Sequence, residues 1–231
     1  MKTVLKICLS VCLFLCAAAP FARAQTPAPK PTPEEWLKTK GMELIDILSV
    51  KDAKTRFLKL RKIARQVFHQ TELPRLAMGR HWNAMTESQR EALRSMFFDY
   101  FVVTYGSVSL GFDKVDLNVT DKVPSGRDIL LKVSAAVSFA NGANRPDGGR
   151  DAALEMFFAL RETPDGYYIR DAKIEGQSVL MFLRSKMDRE MQAARSVVDD
   201  FLESMRVRIN SRYRAAEDLS KADAAKKRAV R

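Results

Sequence analysis

The spacing of apolar residues changes near Phe112, and this change constrains the fold more than any other feature of the chain. Before it, apolar residues recur every three to four positions, as they do along one face of an α-helix. After it, four stretches between residues 112 and 174 alternate apolar with polar residues, as β-strands do. Nothing in this pattern indicates a parallel crossover. We therefore predict an α+β fold in which helices cover one face of a curved, four-stranded antiparallel sheet.

Local signals mark several helix starts. Thr32, followed by a proline and two acidic residues, has the composition of a helix N-terminus. Residues 86–89, Thr-Glu-Ser-Gln, fit a capping box, in which the threonine side chain accepts from a backbone N–H and the glutamine reaches back. Thr71 is predicted to cap a short helix ending near residue 78. After Ser178, alternating steps of four and three predict one long helix, with an apolar stripe at Met187, Met191, Ala194, Val198, Phe201 and Met205.

Residues 1–24 have the features of a secretory signal peptide. Lys2 and Lys6 accompany an apolar run, and a small-x-small cleavage site ends at Ala24. Residues 25–33 then form a proline-rich linker. All three cysteines lie within the leader, so the exported protein is expected to have no disulfide, thiol nucleophile or cysteine metal site.

The net charge of +11 is unevenly distributed along the chain. Three basic residues belong to the leader, and residues 206–231 contain nine basic and three acidic residues. Without these contributions of +3 and +6, residues 25–205 carry only +2. This distribution argues against a nucleic-acid-binding cleft. It predicts a basic C-terminal tail that is solvated or that contacts an anionic membrane surface or a partner.

The sequence offers little catalytic chemistry. A metal site needs several converging ligands, yet the chain has only two histidines, His69 and His81. No nucleophile elbow, P-loop or dinucleotide fingerprint is present. We interpret His81 as a packing or hydrogen-bonding group in the turn before a helix. Asp171 and Glu175 are expected to pair with arginine or to cap backbone N–H groups. We therefore predict no catalytic residue, metal or cofactor, and a protein that is not an enzyme.

The chain contains the motifs GRHW at 79–82, TESQ at 86–89, F-x-x-x-F at 97–101 with Tyr105, and DAKIEGQS at 171–178. In their order and spacing these four motifs resemble the toluene-tolerance family, whose best-known members are phospholipid shuttles of the Mla (maintenance of lipid asymmetry) pathway. The similarity extends over roughly residues 36–192. It predicts a lipid-binding domain over residues 34–192, and residues 193–231 then form an additional C-terminal helix and the basic tail.

The resemblance implies a periplasmic protein with a cone-shaped sheet of the NTF2 or cystatin type, which encloses an apolar pocket for phospholipid acyl chains. The implied partners are the lipid-binding ring of an inner-membrane ABC transporter and an outer-membrane lipoprotein. A hopanoid or other hydrophobic cargo stays open as an alternative, as does a small enzyme on the same type of sheet.

Burial of each methylene group of an acyl chain contributes about 0.8 kcal/mol of favourable free energy, so the cargo needs apolar contacts. Methionine and phenylalanine suit a deformable cavity, although core packing explains the same residues equally well. The candidate lipid-binding residues, chosen by the face on which they lie, are Phe97, Phe101, Val133, Val137, Met156, Phe158, Val179 and Phe182.

Overall fold

The computed structural model describes residues 30–106, 112–139 and 151–229. The helical elements that come first are α1 (Pro33–Leu48), α2 (Ala53–Val67), α3 (Glu72–Met78), a 3₁₀ turn (Gly79–Ala84) and α4 (Glu87–Tyr105). The strands follow as β1 (Phe112–Ser125), β2 (Asp128–Phe139), β3 (Asp151–Thr163), β4 (Gly166–Ile174) and β5 (Gln177–Ser178). The chain then forms α5 (Val179–Ala193) and α6 (Val198–Ala229).

Both capping signals are confirmed. The Thr32 hydroxyl accepts from the backbone N–H of Glu35 at 3.2 Å, and the Glu35 carboxylate accepts from the Thr32 N–H at 2.9 Å. Thr86 and Gln89 make the same reciprocal pair at the start of α4, at 3.3 and 2.9 Å. Each box satisfies N–H groups that have no partner within the helix, so these two starts are fixed by residues three positions apart.

The start of α3 differs from the prediction. Thr71 occupies the capping position but has helical backbone angles, and its side chain makes no capping hydrogen bond. Instead, Nδ1 of His69 accepts from the N–H groups of Thr71 and Glu72 at 3.3 and 3.1 Å. The His69 ring also packs edge-on against Tyr168, with centroids 5.0 Å apart. His69 is therefore a structural group that joins α3 to the sheet.

The sheet is antiparallel with strand order β1-β2-β3-β4-β5, so the predicted α+β class is confirmed. The predicted number of strands was one too low. The chain turns at Glu175 and Gly176, which both have positive φ, of 50° and 79°. This turn pairs Ile174 with Gln177 and creates the two-residue strand β5. Two residues of positive φ suit the right-handed twist of a hairpin, and glycine adopts such angles readily.

The single long helix predicted after Ser178 was wrong. A turn over residues 194–197 separates α5 from α6, and Arg195 and Ser196 adopt positive φ there, 52° and 61°. The N–H of Ser196 donates to the carbonyl of Met191 at 2.8 Å, which ends α5 with the 6→1 bond of a Schellman motif. Beyond the turn, α6 continues as a helix to Ala229.

Two apolar cores hold the elements together. The helical core consists of Ala64, Leu73, Ala77, Met78, Trp82, Met85, Leu93, Phe97, Phe98, Tyr100, Leu183, Met187, Met191, Phe201, Leu202 and Met205. The sheet core consists of Trp36, Leu37, Ile47, Phe57, Leu60, Ile63, Val67, Val102, Val103, Leu131, Val133, Leu160, Ile169, Ala172 and Ala216. The helical core joins α3, α4, α5 and α6. The sheet core places α1, α2 and part of α4 over one face of the sheet.

Candidate functional site

The inner face of the sheet is apolar across four neighbouring strands. Val133 of β2 lies opposite Val119 of β1 and Met156 of β3, and Met156 lies opposite Ile174 of β4. A second row joins Leu131, Phe158 and Ala172 in the same way. Because side chains alternate between faces along each strand, these residues share one surface. The period-two pattern in the sequence therefore identified the apolar face of the sheet.

Burial on this face is uneven. Leu131 and Val133, on β2, are almost completely buried. Val119, Met156 and Phe158, on the neighbouring strands, pack against the sheet core but stay partly accessible. The apolar surface thus continues past the residues that the helices cover fully.

Phe101 and Val179 lie where the two cores meet. Both are partly buried, and both pack against the helical core and the sheet core. Phe101 comes from α4 and Val179 from the first turn of α5. Phe68, which follows α2, meets Phe101 edge-on with ring centroids 6.3 Å apart. These side chains form the boundary between the sheet face and the helices.

The candidate lipid-binding residues fall into three groups. Val133 belongs to the sheet core, Phe101, Met156, Phe158 and Val179 pack against it, and Val137 is buried further along β2. Phe97 lies in the helical core, where it packs edge-on against Phe98 with centroids 5.6 Å apart. Phe182 lies on the surface of α5, where it is 48% exposed. Periodicity placed all eight on apolar faces, but it could not assign those faces to one core or the other.

The motif at residues 171–178 fixes the start of α5 against the sheet. The Asp171 carboxylate accepts from the Ser178 hydroxyl at 2.6 Å and from the backbone N–H of Leu180 at 2.9 Å. Ser178 in turn accepts from the N–H of Met181 at 3.0 Å. A carboxylate at a helix N-terminus is also favoured by the helix dipole. The expected capping role of Asp171 is confirmed, and this anchor holds Val179 beside the sheet.

Glu175 is engaged separately from Asp171. Its carboxylate accepts from the N–H of Glu155 at 2.8 Å, and its own N–H donates to the Glu155 carbonyl at 3.1 Å. These bonds tie the β4–β5 turn to β3. Both carboxylates are thus used in positioning the backbone.

His81 forms a polar contact between the 3₁₀ turn and α5. Its Nε2 lies 2.7 Å from Oδ1 of Asp188, which also accepts from Arg80 at 2.6 Å. Hydrogen bonds from His81 and Arg80 hold the pKa of Asp188 below its usual value. The neighbouring Trp82 is buried beneath the guanidinium groups of Arg90 and Arg94. The predicted role of this turn in packing and hydrogen bonding is confirmed.

Sequence reasoning missed the buried residue Arg56. Its guanidinium donates to the carbonyls of Gly106 at 3.2 Å, Val50 at 2.6 Å and Lys51 at 3.3 Å. The Gly106 carbonyl follows the end of α4, where the helix dipole favours a cation. Arg56 thereby links the turn before α2 to the end of α4, 50 residues away, and no local sequence pattern predicts the Gly106 acceptor.

A second missed cluster joins α3 to the sheet on its polar side. Asp128 accepts from Arg161 at 2.6 Å and from Arg170 at 3.0 Å. The Tyr168 hydroxyl donates to Glu72 at 2.8 Å. Burial and the adjacent Glu72 carboxylate raise the pKa of Tyr168. All of these groups have protein partners, so the cluster is a structural network.

Within the described residues, no group of three His, Cys, Asp or Glu side chains is arranged to hold a metal ion. No helix of that same part of the chain is long and apolar enough to cross a membrane. A surface groove runs along α6, where Glu203, Arg208 and Arg212 contribute to its lining. Such charged walls do not suit an acyl chain.

Comparison with known proteins agrees with this architecture. The MlaC protein family matches residues 39–207, which run from within α1 to within α6. The chain belongs to the MlaC family. Among solved structures, it is similar to a phospholipid-binding protein from Ralstonia solanacearum, determined in complex with a phospholipid. The two share 13% sequence identity with a TM-score of 0.58, over 79% of this chain and 99% of that one. No curated protein matches the sequence.

The family match confirms the resemblance on which the sequence-based prediction rested. At 13% identity, the structural likeness establishes a common fold. The matched region continues through the turn between α5 and α6 and includes Phe201, Leu202 and Met205 of the helical core.

Proposed function

We propose that this MlaC-family protein is a periplasmic carrier that binds phospholipid acyl chains against the inner face of its sheet. The observation that carries the proposal is the apolar row through Val119, Val133 and Met156, which is only partly covered. The Ralstonia relative of the same fold binds a phospholipid. Phe101, Phe158 and Val179 are the other proposed acyl-chain contacts.

Apolar contacts are sufficient for this function. Two long acyl chains cannot cross water at a useful rate, because each exposed methylene costs about 0.8 kcal/mol. A carrier has to provide an environment about as favourable as the bilayer, since much tighter binding would prevent release. Methionine and phenylalanine provide deformable, non-directional contacts of this kind. We infer that the protein acts by binding and release, without a catalytic step.

Entry of the cargo requires the boundary between the two cores to open. Phe101 and Val179 pack against both cores, so an acyl chain would pass these side chains to reach the sheet. Their partial burial makes displacement less costly than moving the fully buried residues of the helical core. Asp171 would then limit the movement of α5, because it holds the first turn of that helix to β4.

We infer the place of the carrier from the predicted signal peptide and from the family. We propose that it shuttles lipid across the periplasm between the lipid-binding ring of an inner-membrane ABC transporter and an outer-membrane lipoprotein. This proposal rests on the leader-like residues 1–24 and on membership of the MlaC family.

Native mass spectrometry of protein purified without detergent tests the proposal. We expect a bound species with the mass of a diacyl phospholipid, and the same lipid in an organic extract. Detection of a hopanoid mass instead would support the alternative cargo. Protein that is consistently empty, and that takes up no lipid from vesicles, would contradict the carrier function.

A further inference from the structure

Basic residues concentrate on two helices that are distant in sequence but adjacent in the structure. Residues 51–67, which include α2, contain seven basic residues and one acidic residue. Residues 206–221 of α6 contain five basic and two acidic residues. Residues 25–205 as a whole carry only +2, so without the +6 of residues 51–67 they carry −4. The charge of the protein is therefore polarised, and the sequence-based assignment of the basic character to the tail alone was incomplete.

A partly buried contact holds α6 beside α2. The Tyr213 hydroxyl donates to Asp99 of α4 at 2.8 Å, and Arg61 of α2 donates to the same carboxylate oxygen at 3.1 Å. The rings of Phe57 and Tyr213 meet edge-on with centroids 5.8 Å apart. Burial and the Asp99 carboxylate raise the pKa of Tyr213, so its hydroxyl stays protonated and keeps donating. This contact fixes α6 as part of the folded body.

A second contact lies further along the pair of helices. Lys54 of α2 and Lys221 of α6 both approach Oε1 of Glu217, at 3.5 and 3.3 Å. Glu217 is thus shared by Lys54 and Lys221, and Asp99 by Arg61 and Arg65, whose Nη2 lies 3.7 Å from Oδ2 of Asp99. The cations exceed the available carboxylates, which leaves an outward surface of positive charge.

We define the α2–α6 basic face by six exposed side chains, which are Lys51, Lys54, Lys62, Arg65, Arg214 and Lys221. Leu58, which is 43% exposed, lies between Lys54 and Lys62 at steps of four residues along the same side of α2. The face therefore combines cations distributed over two helices with an exposed aliphatic side chain.

We propose that the α2–α6 basic face binds the surface of an anionic phospholipid bilayer. This inference rests on the proposed carrier function, because a carrier that loads and unloads lipid has to work close to bilayers. Each cation near an anionic bilayer strengthens attraction about fivefold. A spread of long, flexible cations suits a fluid surface whose charges can rearrange beneath them.

An acidic protein is a less suitable partner for this face. Protein interfaces bind mainly through aromatic or aliphatic anchors that fill pockets at the centre of the contact. The described side chains of this face are mainly lysines and arginines, and Leu58 lies among them. A headgroup layer accepts such an aliphatic group at its boundary with the acyl chains.

Vesicle co-sedimentation of the full exported chain tests the proposal. The test variant combines Lys54→Gln, Lys62→Gln, Arg214→Gln and Lys221→Gln, and the matched control combines Lys38→Gln, Lys114→Gln, Lys173→Gln and Arg189→Gln. All eight positions are exposed, so both variants lose four charges from the surface. Each is measured with vesicles of phosphatidylcholine alone and with vesicles containing phosphatidylglycerol, at low and at high salt.

We expect wild-type protein to bind the phosphatidylglycerol vesicles at low salt and to dissociate at high salt. The test variant should lose about tenfold or more in partition coefficient, while the control stays within about twofold of wild type. Equal binding by the test variant, or an equal loss by the control, would overturn the proposal. So would sedimentation equilibrium showing that the face joins two copies of the chain while vesicles stay unbound. Co-purified lipid is measured in the test variant in parallel. Retained lipid shows that the carrier function is intact, even where the proposal of bilayer binding fails.

Discussion

The helical core and the sheet core contain similar residue types but differ in how completely they are closed. In the helical core, Phe97, Phe98, Met187, Met191 and Phe201 are all almost fully buried. Around the sheet core, apolar side chains that include Leu117, Val119, Met156, Phe158 and Tyr167 are only partly buried. Partly buried apolar residues, such as Met96, also border the helical core, but those around the sheet core are more numerous and include the facing residues of neighbouring strands.

This difference shows that methionine and phenylalanine do not by themselves mark a ligand site. Met187 and Met156 are the same residue type on apolar faces, yet one is packed from all sides and the other is not. A fully buried side chain stabilises the fold in every state of the protein. A partly covered one can exchange its contacts for those of a cargo, so we place the acyl chains on the sheet side.

The largest expected effect comes from truncating a methionine in the filled core. Met187→Ala should lower the free energy of unfolding by about 2–5 kcal/mol, because the cavity it leaves is enclosed. Met156→Ala removes the same atoms from a partly exposed position and should cost less than half as much. Urea unfolding of lipid-free protein measures both. Equal losses in the two variants would remove the distinction between the cores.

The link between sheet and helices should show an intermediate effect. Asp171→Ala removes the acceptor of the Ser178 hydroxyl and of the Leu180 N–H, which should cost about 2 kcal/mol. It should also weaken lipid retention, since Val179 loses its fixed position. Asp116→Ala, on an exposed position of β1, is the control and should change neither quantity. If the Asp171→Ala protein is destabilised but retains its lipid, the Asp171 anchor does not contribute to cargo binding.

Filling the sheet side should act on binding more than on stability. Met156→Trp adds bulk to the proposed acyl-chain surface and should reduce the co-purified lipid about tenfold, equivalent to about 1.4 kcal/mol. Val123→Trp also introduces a tryptophan, but at an exposed position of β1, and should leave the lipid content unchanged. Thermal unfolding confirms that both variants are folded. A fully loaded Met156→Trp protein would move the cargo away from this row.

The smallest effect is expected at the exposed edge of the helical core. The pKa of Asp188 is lower in the folded protein than in the unfolded chain, where it is about 3.9. Its contact with His81 and Arg80 therefore stabilises the fold above that pH, and the stabilisation is lost as the pH falls through the folded pKa. Melting temperatures between pH 6 and pH 3 should converge for wild type and Asp188→Asn. A constant difference down to pH 3 would mean that this carboxylate does not titrate as described.

Features encoded by neighbouring residues could be predicted from the sequence. The capping boxes at Thr32 and Thr86 need groups three positions apart, and the apolar sheet face needs only alternation along each strand. The turn after α5 escaped prediction because the apolar spacing continues across it, from Met191 to Val198, without a glycine or proline. Its positive φ at Arg195 is stabilised by backbone hydrogen bonds and by packing of α6 on the body.

The candidate site could be predicted only as a set of faces. The sequence places Phe97 and Phe101 on one helix four residues apart, but tertiary packing alone decides that Phe97 belongs to the helical core and Phe101 to the boundary. The same limit applies to Arg56, whose acceptors are carbonyls up to 50 residues away. The joining of α2 and α6 into one basic face likewise depends on the contact of Tyr213 with Asp99.

The most direct test is to locate a bound acyl chain. Protein loaded with a phospholipid that carries a photoreactive group near the end of one acyl chain is irradiated, digested and analysed by mass spectrometry. We expect crosslinks in β2 (Asp128–Phe139) and β3 (Asp151–Thr163), and in the part of α4 around Phe101. Crosslinks concentrated instead at Met187, Met191 and Phe201 would place the cargo in the helical core and contradict the division between the two cores.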